Sequence, residues 1–445
     1  MTTKILCRLA IAYGLTSLLS ASSCSGRKSD NQSNTVVNTS VEAVKLPQPY
    51  ATKSSVNFCK VVGWNNGAAP LAPKGFKVTK YKDSLRSARW IYILPNGDIL
   101  VSQANSESRG AKRVGEEIIG SAKSKHITGS PDKITLLRDA DNDGVAEFSS
   151  DFLTELNKPF GMLLLGNTFY VAVTDGVWQY QYKTGDTKIS GSGKRVIDLP
   201  AGGYNHHWTR NIIANANGTK LYVSVGSASN IAEYGLEAEI RRACILEINP
   251  DGSNEKVYAG GLRNPVGMGW EPVTKTLWTC VNERDKLGDD LVPDYATSVK
   301  EGGFYGWPYA YFGPNPDPRI EEKDRRPDLV KATLVPDIPL GAHTAALGLQ
   351  FYTGKTFPEK YRNGMFVALH GSWNRKDLAG YKVVFVPFKN GKPSGPPEDF
   401  LTGFMADIKN SEVHGRPVGV TQLPDGSLLV ADDAADVVWR ISYTE

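Results

Sequence analysis

The chain has 445 residues and a formal net charge of only +4, and it contains no long run of Lys or Arg, so we expect no nucleic-acid partner. Its 44 glycines and 26 prolines indicate many turns, and its 19 tyrosines and 9 tryptophans suit half-buried β-sheet surfaces better than helical bundles. The composition therefore favours an all-β fold, whereas length alone permits one large domain or several.

Residues 1–23 have the features of an export signal. Basic residues precede an apolar run from Leu9 to Leu19, which is too short to span a membrane. Cys24 follows directly after small residues, and this arrangement resembles the lipobox of bacterial lipoproteins, although Ala21 stands where that pattern usually has Leu. We expect an exported protein, either periplasmic or attached to the bacterial membrane only through lipid on Cys24. Ordinary signal cleavage is the alternative.

Residues 24–45 are rich in Ser, Asn, Thr and Lys, which predicts a flexible tether, and the folded domain is expected over 46–445. Three cysteines lie in that domain, Cys59, Cys244 and Cys280. They are too few for a disulfide scaffold and badly spaced for a zinc site. At most one disulfide is therefore possible.

One local pattern recurs six times along the domain: an apolar run, a turn usually centred on Gly or Asn, and an alternating apolar strand. The strands that follow these turns begin near Ile99, Phe169, Leu221, Leu277, Met365 and Leu428. Such turns join antiparallel strands, and copies roughly 50 to 90 residues apart match propeller blades with loop insertions. The sequence predicts a six-bladed β-propeller with insertions at its central mouth. A pair of irregular β-sandwiches would give similar local signals.

An acidic loop lies between two of these copies. Asp139, Asp141 and Asp143 alternate before Gly144, as calcium-binding loops require. The glutamate expected at the twelfth position is missing and Glu147 comes earlier, so the loop is not an EF-hand. We predict a structural calcium ion here, with a solvated acidic turn as the alternative.

Five of the six histidines lie in loop-like segments, and His126 stands apart; the five are His206, His207, His343, His370 and His414. A metal site built from histidines is not favoured, because no two have a suitable spacing and the neighbours His206 and His207 would point to opposite faces of a strand. A histidine acting as general base on a sugar hydroxyl fits better, since its ordinary pKa lies near working pH.

The stretch from Gly260 to Pro308 combines cations, carboxylates and aromatic residues on a glycine-rich backbone. It contains Gly-Gly-Leu-Arg-Asn-Pro (260–265), an acidic loop (282–290) and Gly-Gly-Phe-Tyr-Gly-Trp-Pro (302–308). Arginine pairs with carboxylates in a bidentate manner, and calcium takes oxygen ligands. The segment therefore predicts a site for an anionic organic ligand beside a hard metal ion.

These motifs occur in order with Asn-His-His-Trp-Thr-Arg-Asn (205–211), His-Gly-Ser-Trp-Asn-Arg (370–375) and His-Gly-Arg-Pro-Val-Gly-Val (414–420). Together they resemble the soluble sugar dehydrogenases that depend on pyrroloquinoline quinone (PQQ), most closely the branch called L-sorbosone dehydrogenase or pyranose dehydrogenase. The resemblance implies a six-bladed propeller that holds PQQ and Ca²⁺ at its mouth. It also implies oxidation of a sugar or sugar aldehyde, with electrons passing to an external quinone or cytochrome.

The resemblance implies roles for individual residues. His207 is the expected catalytic base and His206 the alternative. Ser227 stands where the glucose enzymes have an aspartate that orients this histidine, so the orienting partner must differ or be absent. The residues expected to bind the cofactor, including two candidates for the wall where the family has a lysine, are Arg210, Arg263, Asn264, Trp307, His370, Arg375 and Arg416.

The resemblance also implies metal ligands. Backbone carbonyls near Asp285 and Lys286 correspond to the family's calcium-binding turn, although the residues differ, and Asp289 and Asp290 match an acidic pair that binds a second calcium ion. The departures from the family at Ser227 and at Asp285-Lys286 support a rival hypothesis, a cofactor-free propeller that serves as a carbohydrate- or protein-binding surface module. A calcium-dependent lactone hydrolase is a weaker alternative, because a hydrolase would not need Arg263, Asn264 and Arg416 to bind a cofactor.

Overall fold

The computed structural model describes residues 44–106, 117, 121–124 and 129–444, so the leader, most of the tether and His126 lie outside the described residues. Residues Val41–Glu445 form one compact unit. Its secondary structure is nearly all β, which confirms the all-β prediction. No helix in the described residues is long and apolar enough to cross a membrane.

The first half of the domain forms three antiparallel sheets whose strands pair in chain order. Two short strands precede them, β1 (Lys60–Val61) and β2 (Phe76–Lys82). Sheet 1 contains β3 (Ala88–Ile93), β4 (Ile99–Gln103), β5 (Lys133–Arg138) and β6 (Phe148–Leu153). Sheet 2 contains β7 (Met162–Leu165), β8 (Thr168–Val173), β9 (Gly176–Gln181) and β10 (Lys194–Asp198). Sheet 3 contains β11 (Ile212–Ala214), β12 (Leu221–Val225), β13 (Cys244–Ile248) and β14 (Lys256–Gly260).

Sheet 4 carries the largest insertion. Its first strands are β15 (Pro265–Trp270), β16 (Leu277–Val281) and β17 (Pro293–Ser298). The inserted elements are β18 (Gly303–Phe304), β19 (Ala310–Tyr311), β20 (Asn315–Pro316) and the helix α1 (Pro327–Ala332). Strand β18 pairs in parallel with β14 and so extends sheet 3. The chain then returns to sheet 4 as β21 (Ile338–Ala342).

The last two sheets join the two ends of the domain. Sheet 5 contains β22 (Ala346–Phe351), β23 (Met365–Leu369), β24 (Lys382–Val386) and β27 (Glu398–Leu401). A separate hairpin lies between β24 and β27 and consists of β25 (Phe388–Lys389) and β26 (Lys392–Pro393). Strands β28 (Met405–Asp407) and β29 (Glu412–Val413) pair with each other, and β29 pairs in parallel with β1. Sheet 6 contains β30 (Pro417–Gln422), β31 (Leu428–Asp432) and β32 (Val437–Tyr443), and the early strand β2 pairs with β32.

Short 3₁₀ helices occur in the connections, at Ser121–Ser124, Leu236–Glu239, Glu322–Asp324 and Glu359–Tyr361.

Each of the six turns predicted from the sequence lies between the first and second strand of one sheet. In sheet 1 the Gly97 amide donates to the Leu94 carbonyl, and Gly97 adopts a φ of 91°, which only glycine reaches without strain. The second strands are buried along almost their whole length, because neighbouring sheets cover both of their faces.

The sheets follow one another in a cycle. The first strands contact each other in the order β3, β7, β11, β15, β22 and β30, and β30 contacts β3 again. Apolar clusters fill the space between each pair of successive sheets; between sheets 5 and 6, for example, Phe366, Phe385 and Phe400 pack together. In an antiparallel pair the first strand begins where the second ends, so these strand ends meet at one end of the cycle. We call this end the mouth.

The three cysteines of the domain, Cys59, Cys244 and Cys280, are buried and carry free thiols.

Candidate active site

A cavity of about 280 Å³ lies at the mouth. Most of its lining residues lie near the beginnings of first strands or beyond the ends of second strands in sheets 1, 3, 4, 5 and 6, and Ser124 comes from the 3₁₀ helix between β4 and β5. We call it the main cavity. A second cavity of about 130 Å³ adjoins it and shares part of its wall, namely His206, His207, Asn282, Ala345 and Trp373.

The hydrogen bonds of His207 define its tautomer. Nδ1 lies 2.9 Å from the Ser227 carbonyl and 3.1 Å from Ser227 Oγ. The Ser227 hydroxyl donates its own hydrogen to the Ser229 carbonyl at 2.7 Å, so both Ser227 oxygens can only accept from His207. The proton therefore sits on Nδ1, and Nε2 keeps its lone pair. Ser227 thus orients the His207 ring through its carbonyl and hydroxyl oxygens.

The surroundings of His207 keep its imidazole neutral. Burial, followed by the positive charge of Arg263 and the neighbouring His206, holds the pKa of His207 well below its ordinary value. Gly226 permits this environment: a Cβ at that position would lie 2.3 Å from Asn264 Oδ1 and 2.6 Å from His207 Cβ. Only glycine lets these two side chains approach the backbone so closely.

His206 is exposed, and its ring meets that of His207 edge to face with centroids 4.9 Å apart. Both rings line the same two cavities, so the prediction that they point to opposite faces was wrong. The physical reason is that residues 206 and 207 precede β11 and do not belong to a strand, so the alternation rule does not apply to them.

Two arginines reach the main cavity. Arg416 donates to the carbonyls of Ser124, His370 and Gly371 at 3.0 to 3.2 Å, and two of its five N–H groups make none of these bonds. Arg89 forms an ion pair with Asp433, and its guanidinium lies 5.3 Å from the ring centroid of Trp208. These cations give the cavity fixed positive charge, and N–H groups of Arg416 that make none of the three bonds above can donate to a ligand.

His370 also lines the main cavity, and its Nε2 donates to Asp433 Oδ1 at 2.9 Å. Burial and then Arg416 lower the pKa of His370 to about 4, against the opposing effect of Asp433. Burial would raise the pKa of Asp433, but His370 and Arg89 lower it well below its usual range. The pair is therefore a neutral histidine held by an ionised carboxylate.

Three buried polar atoms on residues that line the main cavity have no hydrogen-bond partner among residues 44–106, 117, 121–124 and 129–444: Arg89 Nε, Asn105 Oδ1 and Asn264 Oδ1. Buried polar atoms are almost always paired, because an unmade hydrogen bond is costly. Unpaired atoms gathered around one cavity indicate that a polar ligand completes it.

Arg263 lines the second cavity and not the main one. Its guanidinium donates to the carbonyls of Asn230, Asn282 and Glu283, to Asn230 Oδ1 and to Asp285 Oδ2. These five bonds match the five donors of an arginine, which leaves none for a cofactor carboxylate. In this structure Arg263, a predicted cofactor ligand, instead joins neighbouring loops of the protein through these hydrogen bonds.

His343 and Asp285 form a second buried pair beside Arg263. His343 Nε2 lies 2.9 Å from the Gly288 carbonyl, and Nδ1 lies 3.4 Å from Asp285 Oδ1. Burial lowers the pKa of His343, but Asp285 raises it more, so the net shift is upward. For Asp285, burial is outweighed by His343 and Arg263, and its pKa falls.

The predicted calcium ligands near Asp285 are not supported by this geometry. The Asp285 carbonyl already accepts from Asn230 Nδ2 at 3.1 Å and from Arg319 at 2.7 Å, which occupies both lone pairs. Lys286 is exposed, and its amide donates to Asn374 Oδ1. These hydrogen bonds hold the loop in place.

Asp289 and Asp290 also have other partners. The Asp289 carboxylate accepts from the Ser55 amide at 2.7 Å, from the Ser55 hydroxyl and from the Lys376 amide, so it fastens the segment before β1 to the loop after β23. Asp290 faces Arg375 at 3.4 Å. Among the described residues, carboxylates converge in the acidic loop. One ligand atom from each of its four residues lies within 4.8 Å of the others; the residues are Asp139, Asp141, Asp143 and Glu147.

Three predicted cofactor ligands do not line either cavity, namely Arg210, Trp307 and Arg375. Arg210 is fully buried and donates to backbone carbonyls, including that of His207, so it supports the histidine segment. Trp307 Nε1 donates to the Asn230 carbonyl, which also accepts from Arg263. These residues stabilise the loops behind the site.

Sequence reasoning missed Arg89, Asp433 and Trp373 as wall residues. Arg89 lies at the start of the first strand of sheet 1, the place that Asn264 and Arg416 occupy in sheets 4 and 6. Asp433 directly follows a second strand. The six recurring turns could have identified these residues. Each turn joins a first and a second strand, so the start of the first strand and the end of the second strand lie together at the mouth. His414 instead stacks on Trp64 with ring centroids 4.7 Å apart.

A pyrroloquinoline quinone-dependent pyranose dehydrogenase of Coprinopsis cinerea is 33% identical over 349 residues, which cover 65% of this chain and 46% of that protein. This chain thus spans less than half of that relative. An uncharacterized protein of Borreliella burgdorferi is 32% identical over 301 residues, which cover 65% of this chain and 76% of that protein.

Solved structures show the same fold. A Trichoderma reesei protein of Carbohydrate-Active Enzymes Family AA12 has a TM-score of 0.69 at 19% identity, covering 87% of this chain and 99% of that one. The holo PQQ domain of the Coprinopsis cinerea pyranose dehydrogenase has a TM-score of 0.67 at 20% identity, covering 86% and 100%. The family model described as TrAA12-like matches residues 70–301 and 321–444. The resemblance to PQQ sugar dehydrogenases is thereby confirmed, and the chain belongs to the TrAA12-like family.

Proposed function

We propose that this chain is a PQQ-dependent oxidoreductase that oxidises a sugar or sugar aldehyde on a six-bladed β-propeller. The observation that carries the proposal is His207, a neutral histidine with its proton on Nδ1, whose Nε2 makes no hydrogen bond within the described part of the chain and whose ring lines both cavities. Membership of the TrAA12-like family and the pyranose dehydrogenase relative support the assignment.

The main cavity fits an anionic, planar cofactor. Arg89 and Arg416 offer N–H donors to carboxylates, and Trp208 and Trp373 provide flat walls. Asn264 offers a buried amide whose oxygen has no partner in the described part of the chain. These residues would hold PQQ, whose three carboxylates need fixed cations. When bound, PQQ supplies an electrophilic quinone carbon that accepts hydride.

The chain itself supplies the proton chemistry. His207 Nε2 would accept the proton of the sugar hydroxyl, and the Ser227 carbonyl would stabilise the imidazolium that forms, because it already accepts from Nδ1. Burial at the mouth keeps competing water away from the histidine. The second cavity, beside the same ring, offers charged and polar side chains that can orient a polyol.

Cofactor binding tests this proposal. Titration of metal-stripped protein with PQQ in the presence of Ca²⁺, followed by tryptophan fluorescence, should show saturable binding. Arg416→Ala should weaken it by roughly 10- to 100-fold, because a charge-assisted hydrogen bond is lost. Arg326→Ala, at an exposed pair with Asp328 on the insertion, is the matched control and should bind as the wild type does.

Dye reduction across aldoses and keto-aldehydes then identifies the substrate. No saturable binding of PQQ with calcium present would contradict the oxidoreductase and favour a cofactor-free surface module.

We also propose a calcium ion at the acidic loop, since four carboxylates converge there in a hairpin between β5 and β6. Calcium added to metal-stripped protein should raise the melting temperature; at a hundredfold excess over Kd the stabilisation is about 2.7 kcal/mol. Asp141→Asn should lose most of this shift, whereas Asp186→Asn, an exposed acidic residue elsewhere, should keep it. An equal shift in all three proteins would place calcium outside this loop.

Export with a lipid anchor at Cys24, and electron transfer to an external quinone or cytochrome, stay predictions from the sequence. Cell fractionation and reoxidation assays with each acceptor test them.

A further inference from the structure

Two exposed tyrosines continue the wall of the site outward. Tyr204 is 48% exposed and Tyr234 is 59% exposed, and their ring centroids lie 4.5 Å apart. The Tyr204 ring is nearly parallel to that of His206, with an interplanar angle of 13° and centroids 6.1 Å apart. Because His206 lines both cavities, the aromatic surface runs from the cavity wall onto the outside of the protein.

Hydrogen bonds hold in place both loops that carry these tyrosines. The Glu239 carboxylate, 8% exposed, accepts from the amides of Ala228 and Ser229 and from the Ser229 hydroxyl, which fastens the loop of Tyr234. Asn205, next to Tyr204, accepts from Arg242 at 2.5 Å. The tyrosine pair is therefore presented by anchored loops, and a ligand need not order them on binding.

The chemistry of this surface suits a carbohydrate ring. A tyrosine has a broad apolar face and a hydroxyl at its edge, so it can cover the C–H face of a sugar while bonding to the hydroxyls at the rim. A sugar whose terminal ring occupies the cavity beside His206 can place its next ring at Tyr204, because the Tyr204 ring lies beside that of His206.

We propose that Tyr204 and Tyr234 form a second sugar subsite, and that the preferred substrates are disaccharides or longer oligosaccharides oxidised at a terminal residue. The proposal rests on the proposed function, because that function places the terminal ring at His206 and His207. It adds a substrate class and assigns two residues outside both cavities.

Calorimetric titration of the protein without PQQ, using glucose, maltose and cellobiose, tests the subsite directly. At least one disaccharide should bind more tightly than glucose. A variant with Tyr204→Ala and Tyr234→Ala should lose roughly tenfold in affinity for that disaccharide and keep its affinity for glucose. Replacing both tyrosines with phenylalanine should restore most of the loss, because the ring faces remain.

Phe148→Ala is the matched control, since Phe148 is an aromatic residue, 41% exposed, on the outer strand β6. Three results would overturn the subsite: no sugar binding, an equal loss for glucose and disaccharide, or a fall in solution mass from dimer to monomer in the alanine variant. The last would assign the tyrosines, with the exposed Leu236 and Ile240, to contact between copies.

Sugar binding measured without cofactor does not depend on oxidation, so failure of the oxidoreductase proposal would appear separately, as the absence of PQQ binding. With PQQ loaded, the same alanine variant should raise KM for the disaccharide and leave kcat unchanged.

Discussion

Replacement of His207 by alanine should lower kcat by about 100- to 10,000-fold, the usual contribution of a general base. The reason is that His207 offers a free Nε2 lone pair at the cavity wall while Ser227 holds its Nδ1 proton. PQQ binding should stay within a few-fold of the wild type, because Arg89 and Arg416 lie on other sheets. Stopped-flow measurement of the dye-coupled half-reaction separates these two effects.

The pH dependence follows from the same environment. Burial together with Arg263 and His206 lowers the pKa of His207, so the histidine stays neutral as pH falls through its ordinary value near 6.5. A base is competent above its own pKa, so kcat/KM should remain level through that region and fall only at markedly lower pH. A fall centred near pH 6.5 would show that another group titrates in catalysis.

His206→Ala is the matched control for the choice between the two neighbours. His206 is exposed and lies beside the same cavities, so its loss should change kcat far less than that of His207. A larger fall in kcat for His206→Ala than for His207→Ala would reverse the assignment of the base.

Replacement of Arg284 by methionine should lower the free energy of unfolding by about 3–5 kcal/mol. Arg284 is fully buried, and it pairs with Glu283 at 3.0 Å and Asp317 at 3.0 Å. Removing the cation leaves the buried Glu283 carboxylate without its ion-pair partner, while Asp317 keeps only Arg319. Chemical denaturation measures the loss, and Arg326→Met, at a pair whose side chains are 51% and 60% exposed, should change stability by less than about 1 kcal/mol.

Acid titration gives this prediction a second readout. Burial would raise the pKa of Asp317, but Arg319 and Arg284 outweigh it and lower the pKa to about 2. A carboxyl with a lowered folded pKa stabilises the protein above its unfolded pKa of about 3.9, and this stabilisation is lost as pH falls toward 2. Arg284→Met should bring the pKa of Asp317 in the folded protein closer to its unfolded value. The variant should therefore lose less stability than the wild type as pH falls from about 3.9 to 2. Equal acid sensitivity in both proteins would contradict the network.

Local sequence patterns predicted the recurring hairpins because a β-turn depends on a few adjacent residues. Gly97, with its positive φ, marks one turn, and the run Ile99-Leu100-Val101 that follows is the buried second strand. The acidic loop was predictable for the same reason, since its three aspartates lie within five residues of one another.

The assignment of site residues was less predictable. Asn264, His370 and Arg416 line the main cavity as expected, whereas Arg263, the neighbour of Asn264, faces the second cavity with all five donors engaged. Adjacent residues along extended chain face different ways, and a motif does not say which of its members meets the ligand.

The all-β class, the six turns and the segments from which a site could be built were predictable without a structure, because they depend on side-chain periodicity and on turn residues close together in the chain. Which side chains contact each other became visible in the folded domain. Ser227 orients His207, Asp433 joins Arg89 to His370, and Tyr204 extends the wall begun by His206. Apart from Tyr204 and His206, these contacts join residues 20 or more positions apart, so they depend on sheet register and on the closure of the sheets into a cycle.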